Sequence, residues 1–298
     1  MPAVAAPRQI RPHWTAGAAA AAPLLSASGA GGVAGVTRIV WGIDPLYSLS
    51  GFVVGAIVGL TGVGGGSLMT PLLILFFGIH PATAVGTDLL FAALTKSAGT
   101  LVHGLGRNVD WRVVSTLGIG SVTAAAITLW WLSTAGGQSP DIAHLVGVVL
   151  GGMLVLTALS LLLRRWLFRF ASGHRELPPR ARFVVTVLFG ALLGVLVSIS
   201  SVGAGAIGVT VLMLLYPRLS LLRIVATDIA HAVPLTLVAG LGHWMLGNVD
   251  WGMLASLLVG SIPGIIIASL FAPKVPEAVI RFLLAAVLAI VGIKLLTA

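Results

Sequence analysis

Gly59-Leu60-Thr61-Gly62-Val63-Gly64-Gly65-Gly66-Ser67-Leu68 interrupts a long apolar stretch. Ser200-Ser201-Val202-Gly203-Ala204-Gly205 interrupts another at the matching place in the second half of the chain. Backbone that leaves a helix inside hydrocarbon must line a cavity or be buried in protein, because no water is there to satisfy its N–H and C=O groups. Corresponding glycine-broken segments in two halves are the strongest sequence pointer to a transporter's binding site. The broken ends would turn backbone N–H groups and positive helix dipoles toward an anion.

Composition places these breaks in a membrane. Of the 298 residues, 58% are hydrophobic and 8% charged, against about 25% charged in a soluble domain. So few charges cannot cover a soluble surface of this size. With no cysteine, a disulfide scaffold and a thiolate metal site are both excluded. The net charge of +9 does not indicate nucleic acid, because six of the 17 cations lie between Arg164 and Arg182, as in a cytoplasmic loop. A bilayer crossing takes about 20 apolar residues. Apolar helical segments are expected near 46–62, 65–79, 82–106, 112–133, 142–166, 182–200, 203–217, 219–246, 252–272 and 277–297. The second and seventh are short and read as half-helices.

The two halves repeat each other. Gly51, Gly55 and Gly59 match Gly190, Gly194 and Ser198 at an offset of 139. At an offset of 140, Thr87-Asp88 matches Thr227-Asp228, His103 matches His243, and Asn108-Val109-Asp110-Trp111 matches Asn248-Val249-Asp250-Trp251. Gly120-Ser121 likewise matches Gly260-Ser261. Five segments per repeat is an odd number, so tandem copies must insert with opposite orientation. The charges agree. Arg107 and Arg112 flank a turn whose partner at 247–252 has no cation, and Arg218 and Arg223 flank one whose partner at 77–83 has none. With the Arg164–Arg182 loop inside, these cationic connections all fall inside. The expected fold is an all-α polytopic membrane protein of two inverted five-segment repeats with glycine-broken half-helices. Its expected parts are a poorly ordered or peripheral segment 1–45, repeat one over 46–166, a basic cytoplasmic linker 167–181, and repeat two over 182–298.

The substrate candidates are the breaks and the groups beside them. In the first half they are Thr61, Gly62, Gly64, Gly65, Gly66 and Ser67; in the second, Ser200, Ser201, Gly203 and Gly205. Thr87, Thr227 and Lys96 join them as hydroxyl and cationic donors. Glycines 51, 55 and 59, four apart on an unbroken helix, read instead as packing. Ionisable residues in a membrane segment default to function. Asp88, Asp228 and His231 are the candidates for proton coupling, since Asp228 and His231 share a helix face and histidine titrates near neutral pH. The paired Asn-Val-Asp-Trp motifs read as helix caps followed by interfacial tryptophans. No Gly-Lys-Ser/Thr follows the glycines, so ATP-driven transport by this chain alone is not expected. No ligand spacing argues for a metal, and no cofactor is expected.

Gly59–Leu68, Ala84-Val85-Gly86-Thr87-Asp88-Leu89-Leu90, His103 and Val109-Asp110-Trp111 resemble the TauE/SafE sulfite-exporter family. Ser201–Gly205 and Ala226-Thr227-Asp228-Ile229-Ala230-His231 fit the family's degenerate repeat, and the resemblance covers about 46–298. It implies a membrane permease for sulfite, organosulfonates or similar small anions, driven by ion gradients, with its two glycine hairpins at Gly62–Ser67 and Ser201–Gly205. Ionised Asp88 and Asp228 beside an anion would repel it by several kcal/mol in a low-dielectric site. They are therefore expected either to carry protons during passage or to lie off the path. The expected protein is a proton-coupled secondary transporter of the inner membrane, with a small anion, protons and the lipid bilayer as partners and no nucleic acid. The alternatives are a cation-linked carrier in which the aspartates bind the cation, an intramembrane aspartyl enzyme built on the paired Asp88 and Asp228, and a membrane scaffold.

Overall fold

A computed structural model describes residues 43–61, 66–105, 108–136, 139–172, 177–203, 205–271 and 277–297. The described residues form ten helices. In the first half these are α1 (Pro45–Thr61), α2 (Gly66–Phe77), α3 (Pro81–Leu105), α4 (Trp111–Thr134) and α5 (Pro140–Ser172). In the second they are α6 (Pro179–Ser200), α7 (Ala206–Leu215), α8 (Leu221–Met245), α9 (Trp251–Phe271) and α10 (Glu277–Thr297). All belong to one compact unit, Arg38–Ala298. By length and composition α4, α5, α6, α8 and α9 can each cross a membrane. α2 and α7 have 12 and 10 residues. At 1.5 Å per residue that is about 18 and 15 Å, well short of the roughly 30 Å of a hydrocarbon core.

Local chemistry sets the helix ends. Asp110 caps α4 by accepting from the backbone N–H groups of Arg112 and Val113. Asp250 accepts from Met253 N–H at the start of α9, and Ser220 caps α8. The caps expected of the Asn-Val-Asp-Trp motifs are therefore present, and Trp111 and Trp251 are exposed beside them. α6 starts at Pro179, where a missing N–H costs nothing, and stops where Ser201 turns left-handed at φ 59°. α5 runs six residues past its expected end at 166, to Ser172. Nothing between Trp166 and Ser172 breaks a helix, so the basic linker expected over 167–181 is helical at its start and again from Pro179.

The helices pack across the halves. α1 lies on α9, α6 on α4, α3 on α8 and α5 on α10. Glycine makes the first two crossings close. A Cβ at Gly51 or Gly55 would run into the α9 backbone at Leu257 or Ser261. A Cβ at Gly190 or Gly194 would meet α4 at Leu117 or Ser121, the equivalent positions. These glycines are packing residues, as their spacing predicts. The turns are fastened the same way: Asp250 N–H donates to Thr87 Oγ1 (3.1 Å) and Asp110 N–H to Thr227 Oγ1 (3.0 Å). The central apolar cluster draws Val85 and Leu89 from α3, Ala125 from α4, Leu193 and Val197 from α6 and Leu235 from α8.

Candidate functional site

The crossing of α3 on α8 brings four ionisable side chains together. Asp88 and Lys96 come from α3, Asp228 and His231 from α8, and all four are buried. Lys96 lies within electrostatic reach of both carboxylates and of His231. Eight residues separate Asp88 from Lys96, about 12 Å along the helix. The long lysine stem spans part of that gap, and α8 supplies the second carboxylate. The sequence predicted all four as functional; the structure adds that they form one group.

Each aspartate meets the short helix of its own half. Thr70 of α2 donates its hydroxyl to Asp88 Oδ2. Asp228 lies close enough to interact with the backbone N–H of Gly205, which is the N-cap residue of α7. Glycine at 208 makes this possible, because a Cβ there would overlap the Asp228 carboxylate. Asp228 thus stands where the positive end of the α7 dipole favours a negative charge. Asp88 Oδ1 and Asp228 Oδ1 are buried without a hydrogen-bond partner.

Two hydroxyls complete the group. Ser201, at the end of α6, stands close enough to interact with Asp88. The pair falls short of hydrogen-bond geometry, however, and Ser201 Oγ is also without a partner. Ser121 of α4 hydrogen-bonds His231 Nε2 at 2.8 Å, and His231 Nδ1 is unpartnered. Four buried polar atoms of this group therefore lack partners, which is unusual, since buried polar atoms are nearly always satisfied.

Of the other candidates, Gly203 and Gly205 lie at the second break with positive φ of 136° each. Ser200 spends its hydroxyl locally, on Leu196 and Val202. Thr87 and Thr227 sit one residue before the aspartates, but their hydroxyls serve the turns of the opposite half. Gly62, Gly64 and Gly65 lie outside the described residues. Thr61, Gly66 and Ser67 fall in α1 and α2, with their side chains outside the described set, as is that of His103. His243 is occupied, its Nε2 2.9 Å from the Ser198 carbonyl and its Nδ1 3.4 Å from the Asn248 amide.

Three residues were not singled out: Thr70, Ser121 and Gly208. Thr70 recurs as Thr210 and Ser121 as Ser261, so the repeat held a signal for both. Gly208 corresponds to Leu68 and carries none. The group is asymmetric: Phe91 stands where the second half has His231, and Thr236 where the first has Lys96. Among the described residues no group of three or more His, Cys, Asp or Glu could hold a metal ion.

Ten apolar helices around a buried ionisable group at a broken helix define a multi-pass membrane transporter. The family description "Sulfite exporter TauE/SafE" matches residues 47–295, and the chain belongs to that family. It is 36% identical over 250 residues to the "Probable membrane transporter protein YjnA" of Bacillus subtilis, covering 83% of this chain and 98% of that one. It is 27% identical over 217 residues to "Probable membrane transporter protein YdhB" of the same organism, covering 72% and 84%. A "Probable membrane transporter protein" of Xylella fastidiosa matches at 25% identity, over 72% of this chain and 79% of that one. No solved structure matches significantly.

Proposed function

We propose that the chain is a secondary transporter that moves a small anion, sulfite or an organosulfonate, together with a proton across the inner membrane. The observation that carries the reading is the buried Asp88–Lys96–Asp228–His231 group seated against the N-terminus of α7. Two inverted repeats, 46–166 and 182–298, rock about this group, and the Arg164–Arg182 stretch faces the cytoplasm. Equivalent glycines and threonines making equivalent contacts across the halves support the two-fold relation.

Charge arithmetic gives the coupling. With both carboxylates ionised and Lys96 charged, the group has a net charge of −1. A substrate anion alone would take it to −2 in a place with little water, at a cost of several kcal/mol. An anion and a proton entering together leave it at −1. Asp228 is the natural acceptor, because its carboxylate already stands beside the donors an anion would use at the α7 N-terminus. When Asp228 takes the proton its attraction to the α7 N-terminus weakens, and the anion takes its place with Ser201 and Lys96 as further donors. In the empty site, Asp228 serves as a built-in stand-in for the substrate. His231, held by Ser121, relays the proton one helical turn along α8.

Flux in proteoliposomes containing only this protein tests the reading. Sulfite, sulfoacetate, thiosulfate and a carboxylate control are offered with and without a pH gradient. Saturable uptake of a sulfur oxyanion that follows the pH gradient is expected. Uptake that follows a sodium gradient and ignores pH would replace the proton with a cation bound by the aspartates. No flux of any anion by folded protein would overturn the transport of these substrates.

A further inference from the structure

We propose a second anion site, away from the buried group, that binds a tetrahedral oxyanion of the phosphate type. A cavity of about 320 Å³ opens between the starts of α4 and α6 and the turn joining α7 to α8. Three arginines from three separate segments line it: Arg112 from the first turn of α4, Arg182 from the first turns of α6, and Arg218 from the turn. The one acidic lining residue is Asp110. It caps α4 and stands 3.9 Å from Arg223, which does not line the cavity. Three arginines thus converge on a cavity whose single acidic lining residue is shared with Arg223.

The other half of the molecule serves as an internal control. By the repeat offsets, Arg112 corresponds to Gly252, Arg182 to Ile43 and Arg218 to Gly78. The start of α9 and the turn joining α2 to α3 are built there without the counterparts of Arg112 and Arg218. Helix electrostatics also disfavours them. Arg112 and Arg182 sit near the N-termini of α4 and α6, where the macrodipole repels cations. A bound anion reverses both penalties, because it meets guanidinium groups and helix N-termini together. Orientation of the chain in the membrane needs only a count of positive charges on one side; it does not need three segments to converge on one cavity. Arg182 stacks over the Tyr216 ring, 5.3 Å from its centroid, and the Tyr216 hydroxyl lies 3.0 Å from Thr186 Oγ1. One of the three guanidinium planes is thereby held in place before any ligand arrives.

The oxyanion has two sources: the phosphate of an acidic lipid, which basic pockets between helices recognise, or a free anion gathering at this mouth of the transporter. Exposed Trp111 and Phe183 stand beside the arginines, where lipid acyl chains would meet the protein. Thermal unfolding and equilibrium binding of the purified full chain in neutral detergent distinguish them. The probes are inorganic phosphate, sulfate, and mixed micelles of phosphatidylglycerol or phosphatidylcholine. The variants are Arg112→Gln, Arg182→Gln and Arg218→Gln, singly and together, with Lys294→Gln as an equal change of charge at the exposed end of α10. Each single arginine variant is expected to weaken binding by about tenfold or more, as for a charge-assisted hydrogen bond, while Lys294→Gln leaves it within a factor of two. Binding of phosphate or sulfate that follows this pattern assigns a free anion; binding of phosphatidylglycerol alone that follows it assigns a lipid headgroup. Absence of binding by any probe overturns the site. So does binding that all three single variants retain, or that Lys294→Gln weakens equally. If the triple variant fails to fold, the three singles decide.

Discussion

Replacing Asp228 with asparagine removes a charge and keeps the shape, and the consequence can be worked out. The carboxylate is buried beside the backbone donors at the N-cap of α7. A substrate anion using the same donors would sit about 4 Å from it. Two unit negative charges at that distance repel by about 4 kcal/mol at an effective dielectric near 20, roughly a thousandfold in affinity. Wild-type protein avoids the repulsion only by taking up a proton with the anion. Its affinity should therefore fall as pH rises, by up to about tenfold per unit while Asp228 loses its proton. Asp228→Asn should abolish that slope and bind the anion far more tightly than wild type at high pH. In proteoliposomes, counterflow of labelled against unlabelled anion should survive. Accumulation driven by a pH gradient should be lost. An Asp228→Asn protein that still accumulates anion down a proton gradient as well as wild type would refute the reasoning.

Lys96→Met leaves two buried carboxylates without their cation, and breaking a buried pair costs about 3–5 kcal/mol. A lower unfolding temperature in detergent is expected, with partial rescue at low pH, where the carboxyls are protonated. Gly194→Ala and Gly55→Ala press a methyl group into equivalent helix crossings and should each destabilise by about 1–3 kcal/mol. Only Gly194→Ala should also slow transport, because Ser121 at its crossing holds His231 whereas Ser261 Oγ has no partner. Thr87→Val orphans the Asp250 N–H and should cost about 1–3 kcal/mol of stability with KM unchanged. A raised KM with full stability would return Thr87 to the substrate site.

Much of this architecture is readable in the sequence. The ten segments, the short second and seventh helices and the caps at Asp110 and Asp250 follow from hydropathy, glycine and turn chemistry. So does the importance of Asp88, Lys96, Asp228 and His231, since charge is rare in such a chain. Their gathering into one group is not readable, because it depends on α3 crossing α8, and no spacing within either helix encodes that. Thr87 and Thr227 show the same limit from the other side. Beside the aspartates they read as substrate hydroxyls, yet their partners lie 163 and 117 residues away. Gly208 is equally silent in sequence, one small residue among many in apolar helices, until the carboxylate it makes room for is in view.

The packing of α1 on α9 sets the timetable of biosynthesis. The end of α1 at Thr61 and the start of α9 at Trp251 are 190 residues apart. At about 5–20 residues per second, the ribosome needs roughly 10 to 40 s to deliver that partner. Until then Gly51 and Gly55 present a grooved helix face with nothing against it, and the turn at Asp250 that fastens to Thr87 does not yet exist. The first half must therefore wait in the bilayer unfinished, and it is then that a chaperone or protease of the membrane can reach it. Two separately encoded halves, cut between α5 and α6, would meet the same requirement by association, each completing the crossings of the other.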